Sequence, residues 1–210
     1  MTPPTPLPPT RPRLRLDFYD SVILLSRYEE TAVTSYPVSA LDVAAACTKL
    51  TAATGFLPAN TLFWRQNGSV TALGIYVPAR RWTVRTPEAT RQIPLPPLVF
   101  AGEGRNYVVF AVKRRPQDGQ AQLYRAPCPN VGDNGRICPG NVPFPVCSEQ
   151  TIGQALTLFM EGSHFNDHQA AYKCRAFPDD VRQLWAQLES KERFPLGQLV
   201  ASRRRLRALL

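Results

Sequence analysis

No run of apolar residues in the chain approaches the ~20 needed to cross a bilayer. Its first twenty residues hold six prolines and no apolar segment of the kind an export signal requires. A membrane-embedded or exported protein is therefore not expected, and a cytoplasmic one is. Cysteines are few and odd in number, at positions 47, 128, 138, 147 and 174, and no two form a CxxC pair. That pattern argues against both a disulfide framework and a common zinc-finger rhythm, and the cysteines read as free thiols. A folded face of one charge is also lacking at sequence level. Arg11, Arg13, Arg15, Arg203, Arg204, Arg205 and Arg207 contribute seven of the +9 net charge, leaving only +2 for residues 16–200. Nucleic acid is accordingly expected as a partner only through basic tails.

What is present suits one α+β domain. The length of 210 residues allows one sizeable core, and the hydrophobic share of 44% is ordinary for a globular chain. Residues 1–15 are rich in Pro and Arg and read as a disordered tail, residues 16–195 as a single domain, and 196–210 as a basic amphipathic segment in which 199–210 can form a short helix. Val22–Leu25 and Thr31–Thr34 predict two strands around a charged turn at 27–30. Ser39 with Asp42 forms a capping-box start for a helix that Gly55 stops, with Cys47 on its buried face. From 61 to 125 the pattern is an antiparallel meander, with Asn67-Gly68 as a hairpin turn and Gly102-Glu103-Gly104 as another. No helix follows that second turn, so it is no phosphate loop, and no cofactor is expected. Residues 127–145, with five prolines and three glycines, read as a long functional loop. Ile152, Ala155, Leu156, Phe159 and Met160, and then Val181, Leu184, Trp185 and Leu188, have the spacing of two helices with a buried face.

The informative stretch is Pro127-Cys128-Pro129-Asn130-Val131-Gly132-Asp133-Asn134-Gly135-Arg136-Ile137-Cys138-Pro139. Asn130 and Cys138 are eight residues apart, and Gly135 precedes an Ile137-Cys138 step. Upstream, Pro96-Pro97-Leu98-Val99-Phe100 forms a second signature. Together they resemble the ubiquitin-conjugating (E2) enzymes. In those enzymes a His-Pro-Asn tripeptide precedes the active cysteine by this interval, and a Pro-Pro-x-Val-x-Phe strand closes the meander. Cys128 stands where that family has His, Pro139 where it has Leu, and no Trp follows Cys138 closely. The interval from Phe100 to Cys128 needs an extra hairpin within 101–127. The departures are those of a distant branch, and the chain is similar to the prokaryotic E2 family D, which includes a member of the plasmid-borne bacterial ParB-related, ThiF-related (PRTRC) cassette.

The resemblance implies an E2-like fold with an early helix and C-terminal helices. It also implies a transferase that accepts the C-terminus of a ubiquitin-like protein as a thioester on Cys138 from a ThiF/E1-like adenylating enzyme, with a JAB-type peptidase in the same system. The residue types suit that chemistry. A thiol on an exposed Pro/Gly-rich rim can act as nucleophile, and the side-chain amide of Asn130 can donate to the oxyanion that attack creates. Asp133 or Asp167 can orient or deprotonate the incoming amine.

Three other readings of these residues stand beside it. Cys138 can be an inert thiol of a non-catalytic E2-like adaptor, with Cys128 as filler and Asn130 capping a turn. His164 and His168, followed by Cys174, can be written as a zinc set. They can also serve as bases for Cys138, if their loop folds back to it.

Overall fold

The computed structural model describes residues 13–29, 32–48, 56–67 and 70–209, which fall into two compact units, one before and one after the 55/56 boundary.

The first unit contains β1 (Leu14–Phe18), β2 (Ile23–Tyr28), β3 (Val33–Val38) and helix α1 (Ala40–Thr48). The strands form one antiparallel sheet in the order β1-β2-β3. β1 begins inside the stretch expected to be a tail, because alternating Leu14, Leu16 and Phe18 pair with Arg27, Leu25 and Ile23. Arg27 and Tyr28, expected in a turn, are strand residues instead, and Glu30 and Thr31 lie outside the described residues. The capping box of α1 is present: Asp42 N–H donates to Ser39 Oγ at 3.0 Å, and Ser39 Oγ donates to Asp42 Oδ2 at 2.6 Å. Leu50 and Gly55, expected to continue and stop this helix, lie outside the described residues. Cys47, expected to be buried, is exposed. Around it the helix offers mostly alanines, and the sheet beside it leaves an open hollow of about 370 Å³, lined by Leu16, Leu25, Val38 and Val43, in place of a closed core.

The second unit is built on a six-stranded antiparallel sheet. Its strands are β4 (Thr61–Asn67), β5 (Val70–Val77), β8 (Leu98–Glu103), β9 (Asn106–Ala111), β10 (Gln122–Arg125) and β11 (Ala201–Arg205), in the spatial order β11-β10-β9-β8-β5-β4. Between β5 and β8 the chain makes a separate hairpin of β6 (Arg80–Arg85) and β7 (Thr90–Leu95). The β4–β5 hairpin pairs Asn67 with Val70; Gly68 of the expected turn lies outside the described residues. The β8–β9 hairpin turns at Gly104, and β10 pairs with the far end of β9 through Phe110 and Ala111.

The sheet is covered on both faces, so its central strands are apolar throughout. Leu98, Phe100, Val109 and Ala111 face a large core closed by α2 (Ile152–Thr157) and α3 (Val181–Leu188). Val99 and Phe110, pointing the other way, join Val112, Leu123 and Leu206 in a smaller one. Both helical stripes behave as their spacing predicts: Ile152, Ala155, Leu156, Phe159 and Met160, and Val181, Leu184, Trp185 and Leu188, are all buried. After α2 the chain widens into a single π-helical turn, Leu158–Gly162. The segment expected as a C-terminal amphipathic helix is mostly strand β11, flanked by short 3-10 turns at Leu196–Gln198 and Leu206–Leu209. Pairing with β10 holds one edge of it, and Leu206, with Leu209 packed beside it, anchors it in the smaller core.

Trp185 ties the helical layer to the long loop. It is fully buried, meets Phe165 edge-on at 5.1 Å, and donates its Nε1–H to the buried Pro127 carbonyl at 2.8 Å. Trp185→Phe keeps an aromatic ring but leaves that carbonyl without a donor, and is expected to lower the unfolding free energy by about 1–3 kcal/mol in urea titrations.

Candidate active site

Residues 126–147 follow β10 and contain no helix or strand, yet their backbone is held at most steps. Asn130 stands at its centre with φ of 59°, a left-handed conformation that Asn tolerates better than most side chains. Its N–H donates to His168 O at 2.8 Å, its carbonyl accepts from Cys138 N–H at 2.8 Å, and its Nδ2 donates to His164 O at 3.0 Å. Val131 and Ile137 then form an antiparallel bridge, and Gly132 N–H donates to Arg136 O at 2.8 Å, closing residues 130–138 as a miniature hairpin.

That hairpin docks on β9. Ile137 N–H donates to Tyr107 O, and Val109 N–H to Gly135 O, both at 2.9 Å; Arg136 Nη2 reaches Asn106 Oδ1 at 2.8 Å. Gly135 is required at its position on two counts. Its φ is 83°, and a Cβ there would lie 2.3 Å from the Phe110 ring.

The thiols divide by burial. Cys128, Cys147 and Cys174 are buried, whereas Cys138 at the end of the hairpin is exposed. Burial raises the thiol pKa of Cys128 to about 12 and of Cys147 to about 11, and raises that of Cys174 as well, so all three remain protonated near neutrality. Cys128, at the start of this segment, therefore has no ionised form to offer near neutrality.

The structure brings the 164–168 segment to the hairpin, but through its main chain: it is the carbonyls of His164 and His168 that hold Asn130. The side chains of His164, Asp167 and His168 are exposed. Cys174 donates its thiol hydrogen to Phe177 O at 3.3 Å. Among the described residues no group of three or more His, Cys, Asp or Glu side chains is arranged to hold a metal. Asp133 is engaged by Arg125 Nη1 at 2.9 Å, with Lys173 Nζ 3.8 Å away.

Lys173 is the residue that sequence reasoning misses. Its side chain is 2% exposed, and its Nζ donates to Val131 O at 2.5 Å, inside the first limb of the hairpin. Desolvation lowers its pKa, with Asp133 acting in the opposite direction. One lysine between Tyr172 and Cys174 carries no local pattern that would reveal this use. Only the fold places it under residue 131.

With this geometry in view, the sequence matches prokaryotic E2 family D over residues 38–202, and the chain belongs to that family. The antiparallel meander, the early helix and the helices after the loop are those of an E2-like fold. No curated protein and no solved structure matches the chain.

Two outcomes follow from the site. Alkylation of the native protein with iodoacetamide at pH 8, followed by peptide mass mapping, should mark Cys138 and Cys47 quickly. Cys128, Cys147 and Cys174 should be marked only after unfolding. Gly135→Ala should unseat the hairpin from β9, seen as faster hydrogen exchange at Val109 and Ile137 and a stability loss of about 2 kcal/mol or more.

Proposed function

We propose that the protein is a thioester carrier of a ubiquitin-like protein, with Cys138 as the acceptor. The observation that carries this reading is the exposed Cys138 thiol at the end of a hairpin whose other limb is Asn130, joined by the Cys138 N–H to Asn130 O bond. Membership in an E2 family supports the general role in ubiquitin-like conjugation.

In the first step the Cys138 thiolate attacks the carbonyl carbon of a thioester held by a ThiF/E1-like enzyme. A new C–S bond forms, the tetrahedral oxyanion collapses, and the donor enzyme's thiolate leaves. In the second an amine attacks the Cys138 thioester, a C–N bond forms, the Cys138 thiolate departs, and the amine's proton passes to solvent or a carboxylate. An amide group has two N–H donors, and Asn130 uses one to hold His164 O; the other is available to the oxyanion. Of the two carboxylates, Asp133 already pairs with Arg125, so Asp167 is the freer candidate to receive the amine's proton. His164 and His168 contribute carbonyls that fix Asn130, and their imidazoles are accessory.

The partners of this reading are an adenylating enzyme, a ubiquitin-like protein and a JAB-type peptidase, as in a plasmid-borne cassette of the ThiF-related kind. Five cysteines without a disulfide suit the reducing bacterial cytoplasm, where such ATP-dependent activation takes place.

A second reading, an adaptor that binds the same partners without chemistry, is favoured by one observation: Cys128 occupies the position of the family's His and is locked in the core as a protonated thiol. Intact mass without reductant separates the two. After incubation with the adenylating enzyme, the ubiquitin-like protein and ATP, the carrier acquires one thiol-labile adduct. Cys138→Ser acquires a thiol-stable ester or none. A charged adenylating enzyme that leaves the wild-type protein unmodified would establish the adaptor.

A further inference from the structure

Lys173 is the one buried charged side chain among the described residues, and neither thioester step uses it. Its placement is costly. The carboxylate it meets, Asp133, stands 3.8 Å away, is 69% exposed and already pairs with Arg125. A desolvated ammonium with so loose a counter-ion stabilises a core less than an apolar side chain of similar volume would. The backbone that delivers it is strained as well. Gln169 and Tyr172 have φ of 55° and 59°, left-handed values that a side chain as bulky as tyrosine adopts only where its surroundings impose them. Hydrogen bonds impose them here: Tyr172 N–H donates to Pro178 O at 2.5 Å, Arg125 Nη1 to Tyr172 O at 3.3 Å, and Val181 N–H to Ala170 O at 3.1 Å. Four residues other than glycine have positive φ among the described residues. Three of them, Asn130, Gln169 and Tyr172, belong to this strap or to the hairpin limb that it holds.

The strap grips the limb on both sides of one side chain. At its near end His168 O accepts from Asn130 N–H at 2.8 Å, and at its far end Lys173 Nζ donates to Val131 O at 2.5 Å. We infer that Lys173 is a positioning residue: it fixes the backbone from which Asn130 aims its second amide N–H at the oxyanion formed when Cys138 attacks a thioester. The inference rests on the carrier reading, and it adds a residue that never touches the acyl group. It carries a selective consequence. Attack on a thioester builds an oxyanion that a misplaced amide stabilises poorly, whereas alkylation displaces a halide in one step and builds none. Loss of Lys173 therefore slows acyl transfer to Cys138 and spares alkylation of the same sulfur.

The test compares two reactions of Cys138 in the full chain carrying Cys47→Ser, each followed by intact mass. In the first, N-acetylglycine phenyl thioester donates its acyl group: the Cys138 thiolate forms a C–S bond to the carbonyl carbon, and thiophenolate leaves. In the second, iodoacetamide alkylates the same sulfur and iodide leaves. Asn130→Ala should lower the ratio of the transfer rate to the alkylation rate about 100-fold. Lys173→Met should lower it about 10-fold, and the double variant no further than Asn130→Ala alone, because the two residues act as a unit. Lys173→Gln, one bond shorter than lysine, should lower the ratio in the same direction and carries the test if the methionine variant does not fold. Trp185→Phe, which loosens the same loop at Pro127, should leave the ratio unchanged. A lysine with a merely structural role would alter both rates together. That result, an additive double variant, or an equal loss of ratio in Trp185→Phe overturns the inference alone. An Asn130→Ala ratio equal to wild type overturns the oxyanion role and the inference with it. A wild-type Cys138 that is alkylated but takes no acyl group overturns the carrier reading itself.

Discussion

The edge of β9 is the constraint on which the rest of the second unit depends. One side of this strand pairs with β8 along its whole length. Its other side is divided: Phe110 and Ala111 pair with β10, while Tyr107, Val108 and Val109 pair with residues 135–137 of the long loop. The loop therefore takes the place in the sheet that β10 vacates. Its backbone satisfaction comes from the sheet and not from secondary structure of its own. This is why a segment with five prolines can hold a thiol in a defined position.

A second set of ties fixes the same segment from the helical side. Trp185 holds Pro127, the carbonyls of His164 and His168 hold Asn130, and Lys173 holds Val131. The π-helical turn that ends at Gly162 lies just before His164, which bridges to Arg85 of β6, with Phe165 N–H donating to Arg85 O at 2.8 Å. A widened turn next to a site residue is a recurring device.

The fold was legible where residues repeat with a period. The two helical stripes, the capping box of α1 and the central strands all carry a strong apolar pattern, and each formed. β7 carries Pro94 within its pattern and still forms, because it sits in a two-stranded hairpin where a missing N–H is tolerated. β11 was misread because four arginines and three leucines near the end of the chain fit a helix as well as a strand. The deciding factor, a free edge on β10, is tertiary. At the candidate site, the Asn130–Cys138 interval and Gly135 were readable as a spacing, and their partners were not. Lys173, Arg125 and the carbonyls of the 164–168 segment contribute through position alone, and main-chain oxygens have no signature in a sequence.

The eight-residue interval has a further meaning once the hairpin is seen. Asn130 and Cys138 are opposite members of an antiparallel pair, so the interval is a register, and registers change the facing of every side chain with each single step. Ile137, one residue earlier, is buried, and Cys138 is not. Removing or adding one residue between 131 and 137 would shift the thiol half a pleat, toward the core that already encloses Cys128. Exposure of the cysteine is thus a matter of parity, counted along the loop, and the loop's length is constrained as firmly as its Gly135.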